Sequence, residues 1–262
     1  MEVLYGLHPV EEAVRSGSRG LDQVIVARER KDDRLDRLIQ LCKSAGVRVS
    51  LEPRDQLTRI AKTDAHQGVL AMVQSRKLLA LEDLLHLPDP HPHQFLLALD
   101  GIEDPHNLGA ILRTCDAAGV NGVILPERRA APLNATVAKT SAGASEHVRI
   151  AQVTNIVRSL EQAKQRNFWV VGLDERGTVD YTDFDFRSDV VLVLGREGAG
   201  MHDLVRKTCD HLVRIPMAGS VSSLNVSVAG AVVLYEAMRQ RRQPAPPPPS
   251  EAPPKKRKGL GS

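Results

Sequence analysis

The stretch FLLALDGIEDPHNLGAILRTCDAAG (residues 95–119) decides the fold class. Its first five residues form a continuously apolar run, which is typical of a strand in a parallel sheet covered on both faces. A polar turn follows, and then an apolar segment from Leu108 to Ala118 that Gly119 can end as a helix. A strand, a turn and a helix in this order make one unit of an α/β domain.

The same pattern continues to residue 243. Further strands are predicted in GVIL (122–125), HVRIAQV (147–153), FWVVGL (168–173), DVVLVLG (189–195) and HLVRIP (211–216), and helices over 155–166, 200–207 and 225–242. Strands that alternate with helices predict a mostly parallel sheet. The last helix is apolar on almost every side, so we expect it to be buried within the fold or against a second subunit.

Residues 1–75 alternate shorter strand and helix patterns and predict a small α/β domain with its own core. Residues 76–94 follow as a linker. Pro88, Pro90 and Pro92 lie there among His86, His91 and His93. Because three prolines favour extended chain, we expect a linker rather than a metal site.

Residues 244–262 form a proline-rich tail, which we expect to be disordered because it has almost no apolar side chains to bury. Its basic run KKRK (255–258), offset by Glu251, accounts for the whole formal charge of +3. Residues 1–243 are therefore neutral, and overall charge gives no argument for nucleic-acid binding by the folded part. The tail could add affinity for RNA or only solubility, and the sequence leaves both open.

Composition excludes several classes of protein. No apolar run reaches the ~18 residues of a membrane helix, and residues 1–12 do not resemble a secretory signal. The three cysteines, Cys42, Cys115 and Cys209, are too few and too far apart for a disulfide framework or a zinc site. We therefore expect a cytoplasmic protein.

Polar residues crowd the turn after the strand 95–99, at the sheet edge where α/β proteins bind ligands. They are Asp100, Glu103, Asp104, His106 and Asn107. Arg113 lies six residues after Asn107 in an otherwise apolar helix. Its position alone fits a surface arginine and a functional one equally well.

A second strand, VVLVL (190–194), leads into the glycine-rich turn GREGAG (195–200). The spacing G-x-x-G-x-G fits neither the dinucleotide-binding motif nor the P-loop. Glu197 within this turn would repel a phosphate. The turn therefore favours a ligand that carries positive charge or hydrogen-bond donors.

The third segment, IPMAGSVSSLNVS (215–227), joins a strand to the last helix. Ser222, Ser223 and Asn225 are natural helix N-cap residues, so capping alone would explain them.

Together the three segments resemble the motifs of the SpoU (TrmH-like) RNA ribose methyltransferases of the SPOUT superfamily. The motifs are N-x₅-R (107–113), L-G-x-E-G-x-G (194–200) and I-P-M-x-G-x₃-S-L-N-V-S (215–227), in that order. The segments GLHPVEEAV (6–14) and AHQGVLA (65–71) resemble the substrate-binding domain of the subgroup that acts on large-subunit ribosomal RNA.

The resemblance implies a trefoil-knotted methyltransferase domain, a small L30e-like N-terminal RNA-binding domain and a homodimer. It implies S-adenosyl-L-methionine (AdoMet) as cofactor and no metal. The implied cofactor-binding residues are Gly195, Gly198, Ile215, Met217, Gly219 and Leu224, and the implied catalytic residues are Asn107, Arg113, Glu197, Ser223 and Asn225.

The implied reaction methylates a ribose 2′-hydroxyl of 23S rRNA, at a guanosine of the peptidyl-transferase region, on free rRNA or an assembly intermediate. Arg113 would bind the target phosphate and stabilise charge on the oxygen, although a role as the base stays open, and Asn107, Ser223 and Asn225 would orient Arg113 and the ribose. Glu197 would hold an arginine or a donor group of the cofactor. A methyltransferase for tRNA or another rRNA site, and a catalytically silent RNA-binding assembly factor, remain alternatives.

Overall fold

The computed structural model describes residues 1–87 and 93–243. The predicted tail (244–262) and part of the predicted linker, with His91, lie outside the described residues.

The N-terminal part of the chain forms a four-stranded sheet with helices. Its elements are β1 (Glu2–Tyr5), α1 (Leu7–Ser16), β2 (Leu21–Ala27), α2 (Asp33–Ser44), β3 (Arg48–Glu52), α3 (Arg54–Ala61) and β4 (Val69–Val73). The strand order is β1-β4-β2-β3. Strand β4 runs antiparallel to β1 and β2, whereas β2 and β3 are parallel.

The rest of the chain forms a seven-stranded sheet with the order β7-β6-β5-β10-β8-β11-β9, and every recorded strand pair in it is parallel. The predicted α/β fold with a parallel sheet is confirmed. The elements are α4 (Leu81–Leu85), β5 (Phe95–Leu99), α5 (Pro105–Ala118), β6 (Gly122–Pro126), α6 (Ala135–Thr140), β7 (Ile150–Val153), α7 (Ile156–Gln165), β8 (Trp169–Leu173), β9 (Val179–Asp180), β10 (Val190–Leu194), α8 (Asp203–Thr208), β11 (His211–Arg214) and α9 (Val226–Arg242).

Both faces of this sheet are covered by helices, so alternate residues of each central strand enter different cores. Leu97 and Leu99 of β5 pack with α5 and α9. Leu96 and Ala98 of the same strand pack with α4, α7 and α8. The continuous apolar run 95–99 reflects this burial on two sides, since all five of its residues are buried.

The expectation of an extended linker is wrong for residues 81–85, which form helix α4. Leu81, Leu84 and Leu85 recur at helical spacing and are buried against the sheet. Apolar burial on one face thus outweighs the influence of the prolines that follow. Helix α5 also begins at Pro105 rather than Leu108, because the Asp104 side chain accepts a hydrogen bond from the His106 amide and caps it.

Cys42, Cys115 and Cys209 are all free. Burial raises the pKa of each thiol, which makes them poor nucleophiles.

Strand β10 lies between β5 and β8 in the middle of the sheet. The carboxyl ends of β5 and β10 are therefore adjacent, and the Asp100 amide donates to the Leu194 carbonyl at 2.8 Å. This arrangement brings the polar turn after β5 beside the glycine-rich turn after β10.

Candidate active site

A cavity of about 310 Å³ opens at the carboxyl ends of β8, β10 and β11. This volume lies at the lower end of the range for small-molecule sites, roughly 300–1,000 Å³. Three loops line it, and they come from the segments 173–176, 194–200 and 215–226, with Arg206 and Ala229 beside them. Its position agrees with the rule that α/β sheets bind ligands where their strands end.

The glycine-rich turn after β10 is closed by two backbone hydrogen bonds, since Arg196 and Gly200 each donate an amide to the other's carbonyl at 3.0 Å. Gly195 has no space for a side chain, because a Cβ there would lie 2.2 Å from the Met201 nitrogen. Gly198, at φ 73°, has a left-handed backbone that favours glycine. The turn holds Glu197 at its tip.

Three polar side chains from distant parts of the chain meet beside the cavity. Asn107 Nδ2 donates to Glu197 Oε2 at 3.0 Å. Asn225 Nδ2 donates to Asn107 Oδ1 at 3.0 Å and to Glu197 Oε1 at 3.1 Å. We call Asn107, Glu197 and Asn225 the amide–carboxylate cluster. It links the polar turn after β5, the glycine-rich turn after β10 and the start of α9.

Asn225 is also the N-cap of α9. Its Oδ1 accepts hydrogen bonds from the backbone nitrogen and the hydroxyl of Ser227, at 2.9 and 2.6 Å. Capping is therefore real, but it uses only the oxygen of the amide. The nitrogen is used in the cluster.

A second contact fixes the exit of the glycine-rich turn. Asp100 is buried at the end of β5, and its carboxylate accepts from the His202 backbone nitrogen at 2.7 Å. The His202 ring nitrogen Nδ1 lies 2.9 Å from the other carboxylate oxygen. The turn is thus tied to β5 at both of its ends, through Asp100 here and through the sheet at Gly195.

Arg113 is not part of the cluster. It lies on an exposed face of α5, and its side chain makes no hydrogen bond or ion pair with any residue in the ranges 1–87 and 93–243. Among the described residues, two asparagine amides and no arginine bind the Glu197 carboxylate, and the expected contact with a donor group of the cofactor stays a prediction. Ser223 is exposed and lines the cavity.

Five of the six residues expected to bind the cofactor line the cavity. They are Gly195, Gly198, Ile215, Met217 and Leu224. Gly219 does not line it.

Sequence reasoning missed Asp174, Glu175 and Arg176, which follow β8 and line the cavity. The same signal that singled out the turn after residue 99 was present here, namely charged residues directly after a buried strand. Arg206 on α8 also lines the cavity, and no motif pointed to it.

Carboxylates from three positions, Asp174, Glu175 and Glu197, face or border this cavity. Arg176, Arg196 and Arg206 line the same cavity, so its wall carries both signs of charge and suits a ligand with both positively and negatively charged groups. Within residues 1–87 and 93–243, no group of three or more His, Cys, Asp or Glu side chains is placed to hold a metal ion. No helix in the same ranges is long and apolar enough to span a membrane.

Comparison with known proteins identifies the family. Residues 94–235 match the SpoU rRNA Methylase family, and residues 3–79 match a family described as "RNA 2'-O ribose methyltransferase substrate binding". The chain belongs to the SpoU rRNA methylase family. The predicted resemblance is confirmed over most of the chain.

Among curated SpoU relatives, the "23S rRNA (guanosine-2'-O-)-methyltransferase RlmB" of Ralstonia nicotianae is 45% identical over 92% of this chain and 96% of its own. The RlmB of Escherichia coli is 43% identical over 92% of this chain and 99% of its own. A solved SpoU methyltransferase, AviRb from Streptomyces viridochromogenes in complex with AdoMet, has a TM-score of 0.76 and 28% identity, covering 91% of this chain and 90% of its own.

Proposed function

We propose that this SpoU-family protein methylates the 2′-hydroxyl of a guanosine in 23S rRNA, with AdoMet as the methyl donor. The observation that carries the proposal is the match to RlmB enzymes over 92% of the chain at 43–45% identity. The cavity and the amide–carboxylate cluster agree with it. The peptidyl-transferase region, on free rRNA or an assembly intermediate, is the target we expect.

The cavity fits AdoMet by its chemistry. When bound, AdoMet supplies a methyl group on a positively charged sulfur. Carboxylates (Asp174, Glu175, Glu197) and arginines (Arg176, Arg196, Arg206) both line the cavity and offer partners to the charged groups of AdoMet, while Ile215 and Leu224 offer apolar surface. We propose that Gly195, Gly198 and Met217 belong to the same binding site and that Gly219 lies next to it, and the three glycines let the backbone approach a ligand.

The chain's own residues must align the ribose hydroxyl with the methyl group and stabilise charge on its oxygen. In the proposed reaction the oxygen–methyl bond forms, the sulfur–methyl bond breaks to leave S-adenosyl-L-homocysteine, and the hydroxyl proton passes to water. Asn107, Asn225 and Ser223 orient the ribose. Glu197 holds the two asparagines in place through its carboxylate.

Arg113 binds the target phosphate and stabilises charge on the 2′-oxygen. Its exposed side chain, which has no partner among the described residues, supports a role toward a bound molecule. An arginine side chain offers a planar set of N–H donors that suits a phosphate.

Assembly and domain organisation are part of the proposal. We expect residues 1–75 to bind RNA and residues 95–243 to form a deeply knotted methyltransferase domain. Residues 76–94 would connect these two domains. A homodimer is supported by exposed apolar side chains on and before α9, including Val221, Val228 and Tyr235. The cytoplasm is the proposed location, which the three free thiols support.

One solved relative argues for tRNA as an alternative substrate. The "TrmH/SpoU tRNA modifying enzyme" of A. aeolicus is 34% identical, with a TM-score of 0.54, but it covers only 62% of this chain. The separate N-terminal match to a substrate-binding family favours rRNA, since a methyltransferase domain alone offers less surface to select a site.

The test is transfer of labelled methyl from AdoMet to unmodified 23S rRNA, with the site mapped by reverse-transcription stops at low nucleotide concentration. We expect one stop in the peptidyl-transferase region. Arg113→Ala should abolish turnover while AdoMet affinity is retained. Equal loss of both would contradict the role of Arg113.

If the label is found only in tRNA, or elsewhere in rRNA, the proposed methyl transfer would stand but the proposed substrate would be wrong. AdoMet binding without transfer would point to an assembly intermediate as the substrate. A chain that binds RNA but no AdoMet would be a silent assembly factor.

A further inference from the structure

Helix α6 lies between the candidate active site and the N-terminal sheet. On one side, Thr140 Oγ1 lies 3.2 Å from the Pro105 carbonyl oxygen, in the first turn of α5. On the other side, the Tyr5 hydroxyl of β1 lies 3.3 Å from Thr136 Oγ1. This short helix therefore connects the helix that carries Asn107 with the sheet proposed to bind RNA.

The loop before α6 holds two arginines beside the active-site edge. The Ala131 amide donates to the Ile102 carbonyl at 2.8 Å, in the turn that leads to α5. Arg128 and Arg129 come directly before this anchor, and both are exposed. Neither side chain has a hydrogen bond or ion pair within the described part of the chain. Arg129 has a left-handed backbone, φ 59°, which is unfavourable for an arginine.

Positive charges also meet at the other end of α6. Lys139 Nζ donates to the Ala65 carbonyl at 2.8 Å and lies 5.7 Å from the centre of the Tyr5 ring. Burial lowers the pKa of His66, and the charges of Arg54 and Lys139 lower it further. Lys139 of α6 thus contacts both the loop before β4 and the Tyr5 ring of β1.

Nearby carboxylates do not neutralise these groups directly. Asp64 accepts a hydrogen bond from Thr58, and Asp104 caps α5. Glu103 and Glu127 are exposed near the loop, but neither forms an ion pair with a residue that the structure describes. Since residues 1–243 are neutral overall, free cations at this place are a local feature rather than a result of a basic chain.

We propose that Lys139, Arg128 and Arg129 form a phosphate-binding surface that guides RNA from the N-terminal sheet across α6 to the active site. We call it the bridging surface. The inference rests on the proposed function and adds the path of the substrate. Arginine suits this task because its planar guanidinium binds phosphate through two parallel hydrogen bonds. Such contacts position an RNA without reading its bases.

The test compares two double variants that remove equal charge. Arg128→Gln with Arg129→Gln alters the bridging surface. Arg158→Gln with Lys207→Gln is the control, because both residues are exposed and lie on α7 and α8, which cover the opposite face of the sheet. The probe is an unmodified 23S rRNA transcript, and its affinity is measured over a salt series.

The bridging variant should bind the transcript about tenfold more weakly at low salt. The slope of log affinity against log salt should fall by about 1.4, because each phosphate of a single strand that a cation neutralises adds roughly 0.7 to the slope. In methyl transfer, KM for RNA should rise by the same factor, with kcat and AdoMet affinity unchanged. Arg129→Lys should keep most of the binding, because it keeps the charge.

An unchanged slope in the bridging variant, or an equal loss in the control, would overturn the inference. Wild-type protein that binds no transcript would overturn it together with the proposed function. If the wild type binds through these arginines but transfers no methyl, only the proposed function fails. If methyl transfer proceeds in the bridging variant at the wild-type KM, only the bridging surface fails.

Discussion

The side chain of Asn225 is divided between two tasks. Its oxygen caps α9 through Ser227, and its nitrogen binds Asn107 and Glu197. Sequence reasoning treated capping and a role in the site as alternatives. The structure shows that one amide can do both, because it has an acceptor and a donor.

Asn225→Ser should separate the two tasks. A serine hydroxyl can still cap α9, so stability should stay within a few tenths of a kcal/mol, but it cannot make both bonds of the amide nitrogen. Methyl transfer should therefore fall strongly. Urea unfolding and methyl incorporation measure the two effects.

Asn225→Ala is the matched variant. It removes the cap as well and should cost about 1 kcal/mol in addition to the loss of activity. Full methyl transfer by Asn225→Ser would show that the amide nitrogen is dispensable.

The structure brings only some of the predicted site residues together, and helix geometry explains why Arg113 lies apart from Asn107. Residues 107 and 113 are six apart on one helix, which rotates them by about 240°. Asn107 therefore points into the cluster and Arg113 to an exposed face. The partners of Glu197 could not be predicted, because they depend on β10 lying between β5 and β8.

At the scale of elements, α5 and α6 pack unusually closely. A Cβ on Gly109 would lie 1.8 Å from Thr140 Oγ1 and 3.0 Å from the Ser141 backbone nitrogen. Glycine in the middle of a helix usually costs about 0.5–1 kcal/mol relative to alanine. At this position the absence of a side chain permits the close contact between α5 and α6 that holds α6 against the site.

Gly109→Ala should therefore destabilise the protein by about 1–3 kcal/mol, against the usual helix preference. Gly230→Ala in α9 is the control, because its new Cβ would meet only the flexible end of Leu194. Thermal unfolding of both variants checks this. If the Gly109→Ala protein is as stable as the wild type, α6 can move away from α5 without a loss in the free energy of unfolding.

Long apolar strands were predicted well, because five buried residues in a row leave a clear pattern. Helices α4 and α6 were not predicted. They have five and six residues, too few for a 3.6-residue period to stand out. Their stability comes from packing on α5 and the sheet, which the sequence pattern does not display.

At the scale of the whole molecule, a buried ion pair joins the two sheets. Arg19 Nε lies 2.8 Å from Glu146 Oε2, and the side chains are 4% and 0% exposed. Arg19 also pairs with Glu2 at 2.6 Å, and Glu12 lies 2.8 Å from the His147 ring. These contacts hold the N-terminal sheet against the segment that follows α6.

Glu146→Ala should cost up to about 3–5 kcal/mol, because the buried Arg19 then keeps only the exposed Glu2 as its ion-pair partner. The N-terminal sheet should then unfold separately, which calorimetry would show as two transitions. Asp55→Ala breaks an exposed pair with Arg59 and should cost less than about 1 kcal/mol. A single transition at the wild-type temperature would show that Glu146 does not couple the sheets.

The central position of β10 also governs the order in which the chain folds. Phe95 pairs with Val190, so the middle of the large sheet needs two segments about a hundred residues apart, whereas the N-terminal sheet closes within residues 2–73. Non-local parallel pairing is slow, and domains acquire their structure from the N-terminus during synthesis. On the ribosome, the N-terminal sheet can therefore form before β10 has been synthesised, when the edge of the large sheet that carries the candidate active site is still incomplete.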